Sequence, residues 1–400
     1  MQQTEYLDNL DESQRKAVEY IEGPSLVIAG AGSGKTRVLT TKIAFLTAHG
    51  LKPWNILALT FTNKAAREMR ERVAAIVGEG VAKYLVMGTF HSVFAKILRK
   101  EAPLLGYTSK FTIYDRTDST SLVKNIVKGM GLDVKVYKPS IVLSKISQAK
   151  NNLILAEEYF NDPDILKRDD SDNVPEVGHI YMKYQQRLKA SDAMDFDDLL
   201  VKMYILLTTH EEVRRKYVDR FNFVLVDEYQ DTNRTQARIL WLLTRERQML
   251  CVVGDDAQSI YAFRGADIGN ILNFTRIFPD ARLFKLERNY RSTKSIVDAA
   301  NSVIAHNRNR IPKDVYSLAG AGQKIEIYPT ESDVEEAERV VKSVCKTNAD
   351  NGVPYSEIAV LYRKNAQSRV IEEALRKSGV PYRVYGGLSF YERKEVKDAI

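Results

Sequence analysis

Short apolar runs alternate along this chain with longer stretches in which apolar residues recur every three or four positions. A short unbroken apolar run is typical of a strand buried on both faces, and the amphipathic stretches between the runs are typical of covering helices. The predicted strands are Leu26–Ala29, Ile56–Thr60, Leu85–Met87, Phe223–Val226, Leu250–Val253 and Leu283–Leu286. The pattern therefore predicts an α/β fold with a parallel sheet wrapped by helices.

This rhythm changes twice, and the changes divide the chain into four segments. Residues 106–200 have a mostly helical pattern, which we interpret as a helical subdomain inserted into a first α/β domain. That domain would consist of residues 1–105 and residues 201–288. Residues 289–400 begin a second α/β rhythm, which predicts a second domain.

The second domain is predicted from three further apolar runs. Its strands are expected at Ile325–Tyr328, Ile358–Tyr362 and Tyr382–Tyr385. An amphipathic run at Glu392–Ile400 continues to the last residue without a capping residue or a stop signal. We therefore expect the second domain to be incomplete and the chain to be the amino-terminal part of a longer protein.

Composition narrows the class of protein without identifying a partner. The 400 residues include 59 Lys and Arg against 52 Asp and Glu, and the net charge of +7 permits a polyanionic partner without requiring one. The two cysteines are isolated, which is typical of a reducing compartment. The acidic amino terminus predicts no signal peptide, and no apolar run approaches the roughly 20 residues that cross a bilayer. We expect a cytoplasmic protein that has no membrane partner.

The first predicted strand leads into a glycine-rich loop, Gly30-Ala31-Gly32-Ser33-Gly34-Lys35-Thr36. Glycines let successive backbone N–H groups converge on an anion, and the positive end of the following helix points to the same place. The charge of Lys35 suits the outer phosphates, and the hydroxyl of Thr36 suits a magnesium ion. Ala29 stands where the strict motif has glycine, so the match is to its relaxed form. The junction predicts binding of a nucleoside triphosphate.

A second group of candidate residues is an acidic pair. Asp227 and Glu228 directly follow the predicted strand Phe223–Val226, at the edge where parallel α/β sheets hold their ligands. Asp227 would bind the metal through water, and Glu228 would position or deprotonate the attacking water. The alternative is a solvated pair of carboxylates at a strand end. Taken alone, the pair does not decide between the two.

A third group follows the predicted strand Leu250–Val253. Gln258 would lie at the same sheet edge, where a neutral amide can sense a γ-phosphate. Tyr261, Phe263 and Arg264 come shortly afterwards, and aromatic rings beside a cation suit stacked bases and a phosphate backbone. Aromatic residues in such a segment are more often part of a core. Their closeness to Gln258 in the sequence favours DNA binding.

Two more strand ends combine small polar residues with one aromatic ring. The candidates there are Phe61, Thr62, Asn63, Thr89, Phe90 and His91. A lone histidine is ordinarily structural, so His91 is a candidate DNA contact only because of its neighbours. We expect these residues to continue a track for single-stranded DNA.

Together, these motifs resemble those of the superfamily 1 DNA helicases of the UvrD/PcrA/Rep group. The order and spacing of the motifs match over essentially all 400 residues. The segments that carry the resemblance are Leu10–Arg15, Ala29–Thr36, Thr60–Lys64, Gly88–Ser92, Asp227–Asn233, Gly254–Arg264 and Leu286–Thr293. The resemblance implies a P-loop NTPase (RecA-like) fold with an inserted helical subdomain and the start of a second RecA-like domain.

The resemblance also implies roles for individual residues. Gln14 and Arg37 would contact the adenine, and Tyr290 would stack on it. Arg291 would act as an arginine finger on the γ-phosphate. Asn365 would join the aromatic and polar candidates along the single-strand track.

The function that the resemblance implies is that of an ATP- and Mg²⁺-dependent DNA translocase and helicase. It would move 3′ to 5′ on single-stranded DNA, act at junctions with duplex, and serve repair or replication together with other proteins. We expect this chain itself to be a monomer. Two departures stand out: Phe263 replaces the tryptophan of many relatives, and the later motifs of the family are absent. Two alternatives stay open, the motor portion of a helicase–nuclease and a nucleotide-dependent DNA-binding protein that does not unwind.

Overall fold

The computed structural model describes residues 5–385 of the chain. The chain divides into two compact units, Met1–Gln323 and Lys324–Ile400. The strands are β1 (Ser25–Ala29), β2 (Ile56–Thr60), β3 (Val86–Thr89), β4 (Thr112–Tyr114), β5 (Ala193–Asp195), β6 (Phe223–Val226), β7 (Leu250–Gly254), β8 (Arg282–Leu286), β9 (Arg288–Asn289) and β10 (Tyr316–Ser317). The six strands predicted for the first domain are all confirmed.

Helices follow most strands, as the amphipathic stretches predicted. The helices of the first domain and its insertion are α1 (Glu12–Glu19), α2 (Lys35–Ala48), α3 (Asn63–Val77), α4 (Glu79–Ala82), α5 (Phe90–Glu101), α6 (Arg116–Gly129), α7 (Pro139–Asn151), α8 (Ala156–Asn161), α9 (Pro163–Ser171), α10 (Val177–Ala190), α11 (Phe196–Thr209), α12 (Glu211–Arg220), α13 (Arg234–Thr244), α14 (Gly269–Leu272) and α15 (Phe274–Ile277). The later helices are α16 (Lys294–Ile304), α17 (Asp333–Asn351) and α18 (Asn365–Lys377).

Six parallel strands form the main sheet of the first unit, in the order β3-β2-β6-β7-β1-β8. Ile28 of β1 lies opposite Gly254 of β7, and Val226 of β6 lies opposite Val252 of β7. The loops that follow β1, β6 and β7 therefore leave the same edge of the sheet side by side. The parallel α/β fold is confirmed, and it places three groups of candidate residues at one edge.

Burial of the strands follows their position in the sheet. Every residue of β1, β2, β6 and β7 is buried, as their unbroken apolar runs predicted. The prediction that β8 is buried on both faces is wrong, because Leu283 is 41% exposed. Within the described residues, β8 is an edge strand that pairs with β1 alone, and its inward residues Phe284 and Leu286 alternate with the exposed Lys285.

The insertion has a hydrophobic core of its own. Val177, Ile180, Tyr184 and Leu188, on one face of α10, are buried in it together with Val127 of α6 and Ile146 of α7. β4 and β5 form a separate two-stranded parallel sheet. α11, by contrast, packs against α5 and α13 in the core beside the main sheet. The limits of the insertion at residues 106 and 200 stay a prediction.

In the second unit, α17 and α18 pack against each other through Val341, Val344, Ile371 and Leu375. The division between the units after Gln323 falls later than the predicted start of a second domain at residue 289. Residues 289–323 are grouped with the first unit, where β10 pairs with β9. The four-segment organisation of the chain therefore stays a prediction.

The three strands predicted for the second domain are wrong within the part of the chain that the structure describes. Residues 325–328, 358–362 and 382–385 form no strand there. Ile327 is 87% exposed and Leu361 is 93% exposed. An apolar run becomes a strand only when a neighbouring strand accepts its hydrogen bonds, and the pattern of one run cannot supply that neighbour. The run Glu392–Ile400 lies outside the described residues.

Candidate nucleotide and DNA site

The loop after β1 has a tight form that depends on glycine. Gly32 and Gly34 have φ angles of +69° and +89°, in the left-handed region. A Cβ atom at Gly30 would lie 2.7 Å from a methyl carbon of Val315, so no side chain fits there without a shift. The Ser33 hydroxyl donates to the Gly30 carbonyl at 2.7 Å and closes the loop. Such a loop, directly before α2, is suited to bind phosphate through its backbone.

Gln14 lies under this loop and is fully buried. Its Nε2 atom donates to the Ser33 carbonyl at 2.9 Å, and its Oε1 atom accepts from the Asp11 N–H at 3.2 Å. The Asp11 carboxylate in turn caps α1 by accepting from the Gln14 N–H. Gln14 therefore supports the phosphate loop in this conformation, with both ends of its amide engaged by the chain. Arg37 is exposed on the first turn of α2.

The acidic pair after β6 lies beside the lysine of the loop. Lys35 Nζ is 3.8 Å from Glu228 Oε2. Asp227 is 5% exposed, and this burial, together with the charge of Glu228, raises the pKa of Asp227 to about 7. The burial excludes a solvated strand end for Asp227. Glu228 has a φ of +50°, which is uncommon outside glycine and is typical of residues at functional turns.

Gln230 connects the acidic pair to the loop after β7. Its Nε2 atom donates to Glu228 Oε2 at 2.9 Å, and its Oε1 atom accepts from the Asp255 N–H at 3.0 Å. A Cβ atom at Gly254 would lie 2.6 Å from that Oε1 atom, so glycine makes room for the contact. Sequence reasoning missed Gln230, because nothing local distinguishes it from the other polar residues of its turn.

Gln258 lies on the turn after β7, and its amide is held by its own turn. Its Nε2 atom donates to Asp255 Oδ2 at 2.6 Å. Asp255 is 2% exposed and also accepts from the Ala257 N–H at 3.1 Å. The predicted sensor is thus joined to the acidic pair through Asp255 and Gln230.

The last residue of β9 and the residues that follow it lie against the phosphate loop. The Tyr290 N–H donates to the Gly32 carbonyl at 2.9 Å, and the Asn289 side chain donates to the Ala31 carbonyl at 2.6 Å. A Cβ atom at Gly32 would lie 2.8 Å from Cβ of Arg291, which shows how closely the two segments approach. The Tyr290 ring is 44% exposed, which leaves part of its surface free for a base. Sequence reasoning missed Asn289, whose contact joins residues far apart in the chain.

The aromatic segment that follows Gln258 is exposed. Phe263 is 78% exposed, Tyr261 is 39% exposed, and their ring centroids are 6.0 Å apart. The guanidinium of Arg264 lies 5.4 Å from the Tyr261 centroid and 5.5 Å from the Phe263 centroid. A core role is therefore excluded for Phe263. Two accessible rings beside a cation can stack on bases and contact a phosphate.

The candidates after β2 and β3 divide into buried and accessible side chains. Phe90 is 1% exposed and packs in the core, so the expectation that it contacts DNA is corrected. Phe61 is half-buried, with its ring centroid 5.7 Å from that of Phe90. His91 is half-buried, and burial lowers its pKa to about 4. Burial therefore favours the neutral ring in this conformation, and a neutral ring is suited to contact DNA through a hydrogen bond.

The two threonines among these candidates also have a structural role. The Thr62 hydroxyl caps α3 by accepting from the Ala65 N–H, and the Thr89 hydroxyl caps α5 by accepting from the Ser92 N–H. Asn63 is exposed at the first position of α3. Asn365 is exposed at the first position of α18, in the second unit.

Comparison with known proteins identifies the family. A family model described as the UvrD/REP helicase N-terminal domain matches residues 10–279, and one described as the UvrD-like helicase C-terminal domain matches residues 284–400. The chain belongs to the UvrD/REP helicase family. This membership confirms the resemblance and, with the parallel sheet, the P-loop fold of the RecA-like type.

The UvrD/REP relatives include proteins named ATP-dependent DNA helicase PcrA. The chain is 46% identical to the protein of Staphylococcus epidermidis and 44% identical to that of Leuconostoc citreum. Both alignments cover 98% of the present chain. It covers 53% and 52% of those proteins, so it spans about half the length of the curated relatives that it matches. No helix in the described residues is both long and apolar enough to cross a membrane.

A magnesium site in this UvrD/REP chain would be formed by few protein ligands. Residues 5–385 contain no cluster of three or more His, Cys, Asp or Glu that could hold a metal ion. Mg²⁺ needs no such cluster, because it keeps several waters and takes phosphate oxygens as ligands. Asp231 Oδ1 is buried and has no hydrogen-bond partner among the described residues. Burial and the charge of Glu228 raise the pKa of Asp231 to about 6. A hydrated cation would relieve both acids, so Asp227 and this orphaned oxygen fit the ion, and Thr36 as a ligand stays a prediction.

The structure adds Phe196 as a candidate that sequence reasoning missed. It is the first residue of α11 and is 54% exposed, and its ring centroid lies 5.6 Å from that of His91. An exposed aromatic ring beside a predicted DNA contact is suited to stack on a base. The sequence signal was its position directly after Asp195, which caps α11.

Proposed function

We propose that this chain is the motor part of an ATP-dependent single-stranded DNA translocase and helicase. It uses ATP with Mg²⁺, moves 3′ to 5′ and acts where single strands meet duplex. It serves DNA repair or replication in the cytoplasm, as the amino-terminal part of a longer motor. Family membership and the helicase names of the relatives support the activity. The chain covers about half of the length of those relatives, which supports the proposal that it is part of a longer protein.

The observation that carries the proposal is the short segment after β7. Gln258 is connected to Glu228 through Asp255 and Gln230, and the exposed rings of Tyr261 and Phe263 follow within five residues. A change in the position of Gln258 on nucleotide binding would therefore reach the rings over a short length of chain. Such coupling of a nucleotide loop to a moving contact is what a translocating motor needs.

The residues around the phosphate loop support hydrolysis. Glu228 takes a proton from a water molecule whose oxygen bonds to the γ-phosphorus, and the bond from that phosphorus to the bridging oxygen breaks to release ADP and phosphate. Lys35 and Arg291 offset the charge that develops on the phosphate oxygens. Magnesium, when held by Thr36 and Asp227, supplies further neutralisation of the β- and γ-phosphates.

The test is an ATPase and strand-displacement assay on the complete gene product, with duplexes that carry a 3′ or a 5′ single-stranded tail. We expect ATP hydrolysis stimulated by DNA, and displacement on the 3′-tailed duplex that is absent with Glu228→Gln. Stimulated hydrolysis without displacement would favour a DNA-binding protein that does not unwind. DNA cleavage during the assay would favour a helicase–nuclease. ATP hydrolysis at a rate that DNA does not change would contradict the proposal.

A further inference from the structure

Lys313, between α16 and β10, is a buried lysine outside the predicted motifs. Its side chain is 6% exposed, and Nζ lies 2.9 Å from Asp255 Oδ1 and 2.6 Å from Asp256 Oδ1. Asp256 Oδ2 also accepts from the Ile311 N–H at 2.9 Å. Burying charged groups is costly unless they are paired and hydrogen-bonded, and here each has a partner. The cluster therefore joins the segment after α16 to the turn after β7 by a specific contact.

The carboxylate of Asp255 is shared between Lys313 and Gln258. Its Oδ2 atom accepts from Gln258, while its Oδ1 atom accepts from the Ala257 N–H and faces the Lys313 ammonium. The Asp255 N–H holds Gln230, which in turn holds Glu228. A single residue, Asp255, therefore connects Lys313 to Gln258, the predicted γ-phosphate sensor.

The neighbours of Lys313 contact the other nucleotide loops. Val315 lies against Gly30 of the phosphate loop, so closely that a side chain at Gly30 would collide with it. Tyr316 pairs with Arg288 of β9, the strand that leads to Tyr290. Lys313 therefore lies on a segment that contacts the phosphate loop and adjoins the β9 segment.

We propose that Lys313 is a positioning residue that lets Gln258 leave Asp255 for a bound γ-phosphate, an inference that rests on the proposed function. A buried carboxylate that loses its donors is destabilised. While Lys313 stays beside Asp255, the Gln258 amide can move without leaving that carboxylate uncompensated. Without the ammonium, Gln258 is the remaining side-chain donor to Asp255 among residues 5–385 and is held back.

The experiment measures how strongly the complete gene product prefers a triphosphate to a diphosphate. Fluorescent AMP-PNP and fluorescent ADP are titrated with Mg²⁺, and the ratio of their dissociation constants is compared between variants. Lys313→Met keeps the aliphatic stem without the charge, and we expect it to lower the preference by about tenfold, the equivalent of one hydrogen bond. Lys313→Arg keeps the charge and should restore most of the preference. Lys294→Met, an exposed lysine on α16 paired with Asp298, is the matched control and should leave the ratio unchanged.

The same ratio is measured for Lys313→Met in a protein that also carries Gln258→Ala. This comparison distinguishes an effect of Lys313 on the position of Gln258 from a general effect on stability. If Lys313 acts through Gln258, then Lys313→Met has no further effect on the ratio once Gln258 is removed. Because Lys313→Met leaves two buried carboxylates without their cation, the same titration is made with Lys313→Met combined with Asp256→Asn, which removes one of them. An unchanged ratio in either folded variant, or an effect that persists without Gln258, would overturn the inference. Failure of the unaltered protein to bind AMP-PNP would instead contradict the proposed function.

Discussion

The exposed ring of Phe263 gives a quantitative test of the DNA surface, through the substitution Phe263→Ala. A fully covered aromatic side chain removes roughly 200 Å² from water. Phe263 is 78% exposed, and a base on one face would cover about half of that free surface, roughly 80 Å². At about 25 cal/mol per Å² the loss is about 2 kcal/mol, within the range of about 1–3 kcal/mol for a base–aromatic stack. We therefore expect single-strand affinity to fall about 30-fold.

The assay is a fluorescence-anisotropy titration of a labelled oligonucleotide, with thermal unfolding of each variant beside it. Because the ring is exposed, Phe263→Ala should leave the melting temperature unchanged, and Phe263→Trp should bind at least as tightly as the unaltered protein. Val303→Ala, at an apolar position that is 73% exposed on α16, serves as the control and should not change affinity. Unchanged DNA affinity for Phe263→Ala would refute the assignment of the ring as a base platform.

Three further substitutions test the nucleotide site and its surroundings. Glu228→Gln should retain ATP binding and lower phosphate release by about 10²–10⁴-fold, because an amide cannot accept the proton of water; normal turnover would contradict its role. Gly34→Ala should destabilise the protein by about 1–3 kcal/mol in urea unfolding, because φ is +89° and the new Cβ atom would lie 2.6 Å from the Gln14 amide nitrogen; unchanged stability would contradict this geometry. The folded-state pKa of His91, about 4, lies below the unfolded value of 6.5, so its contribution to stability is present above pH 6.5 and is lost as the pH falls towards 4. Its replacement by Gln should therefore remove part of the fall in unfolding free energy between pH 7 and pH 5, and an identical pH profile would contradict the burial of the ring.

The nucleotide loop could be predicted from the sequence because its requirements are local. Gly32 and Gly34 are needed for their own backbone angles, and Lys35 and Thr36 follow at fixed distances along the chain. The strands β1, β6 and β7 could be predicted because burial on both faces requires an unbroken apolar run. Neither inference needs a distant residue.

The DNA candidates show where local patterns stop being sufficient. Phe90 and Phe263 both follow a strand and both stand among small or polar residues, yet one is 1% exposed and the other is 78% exposed. Phe90 is the first residue of α5, which packs against α11 about a hundred residues later in the chain, and its ring lies in the same hydrophobic core as Leu199 and Leu200 of α11. Burial at a strand end is therefore decided by which helix covers it, and that is a property of the whole fold.

The residues that sequence reasoning missed share the same cause, because each acts through a partner that is distant in sequence. Asn289 contacts the Ala31 carbonyl, and Lys313 pairs with Asp255. Gln14 was predicted, but in a different role. The family resemblance implies that it contacts the adenine, whereas in the structure its amide donates to the Ser33 carbonyl. A glutamine that supports the phosphate loop must move or share its amide before it can read a base.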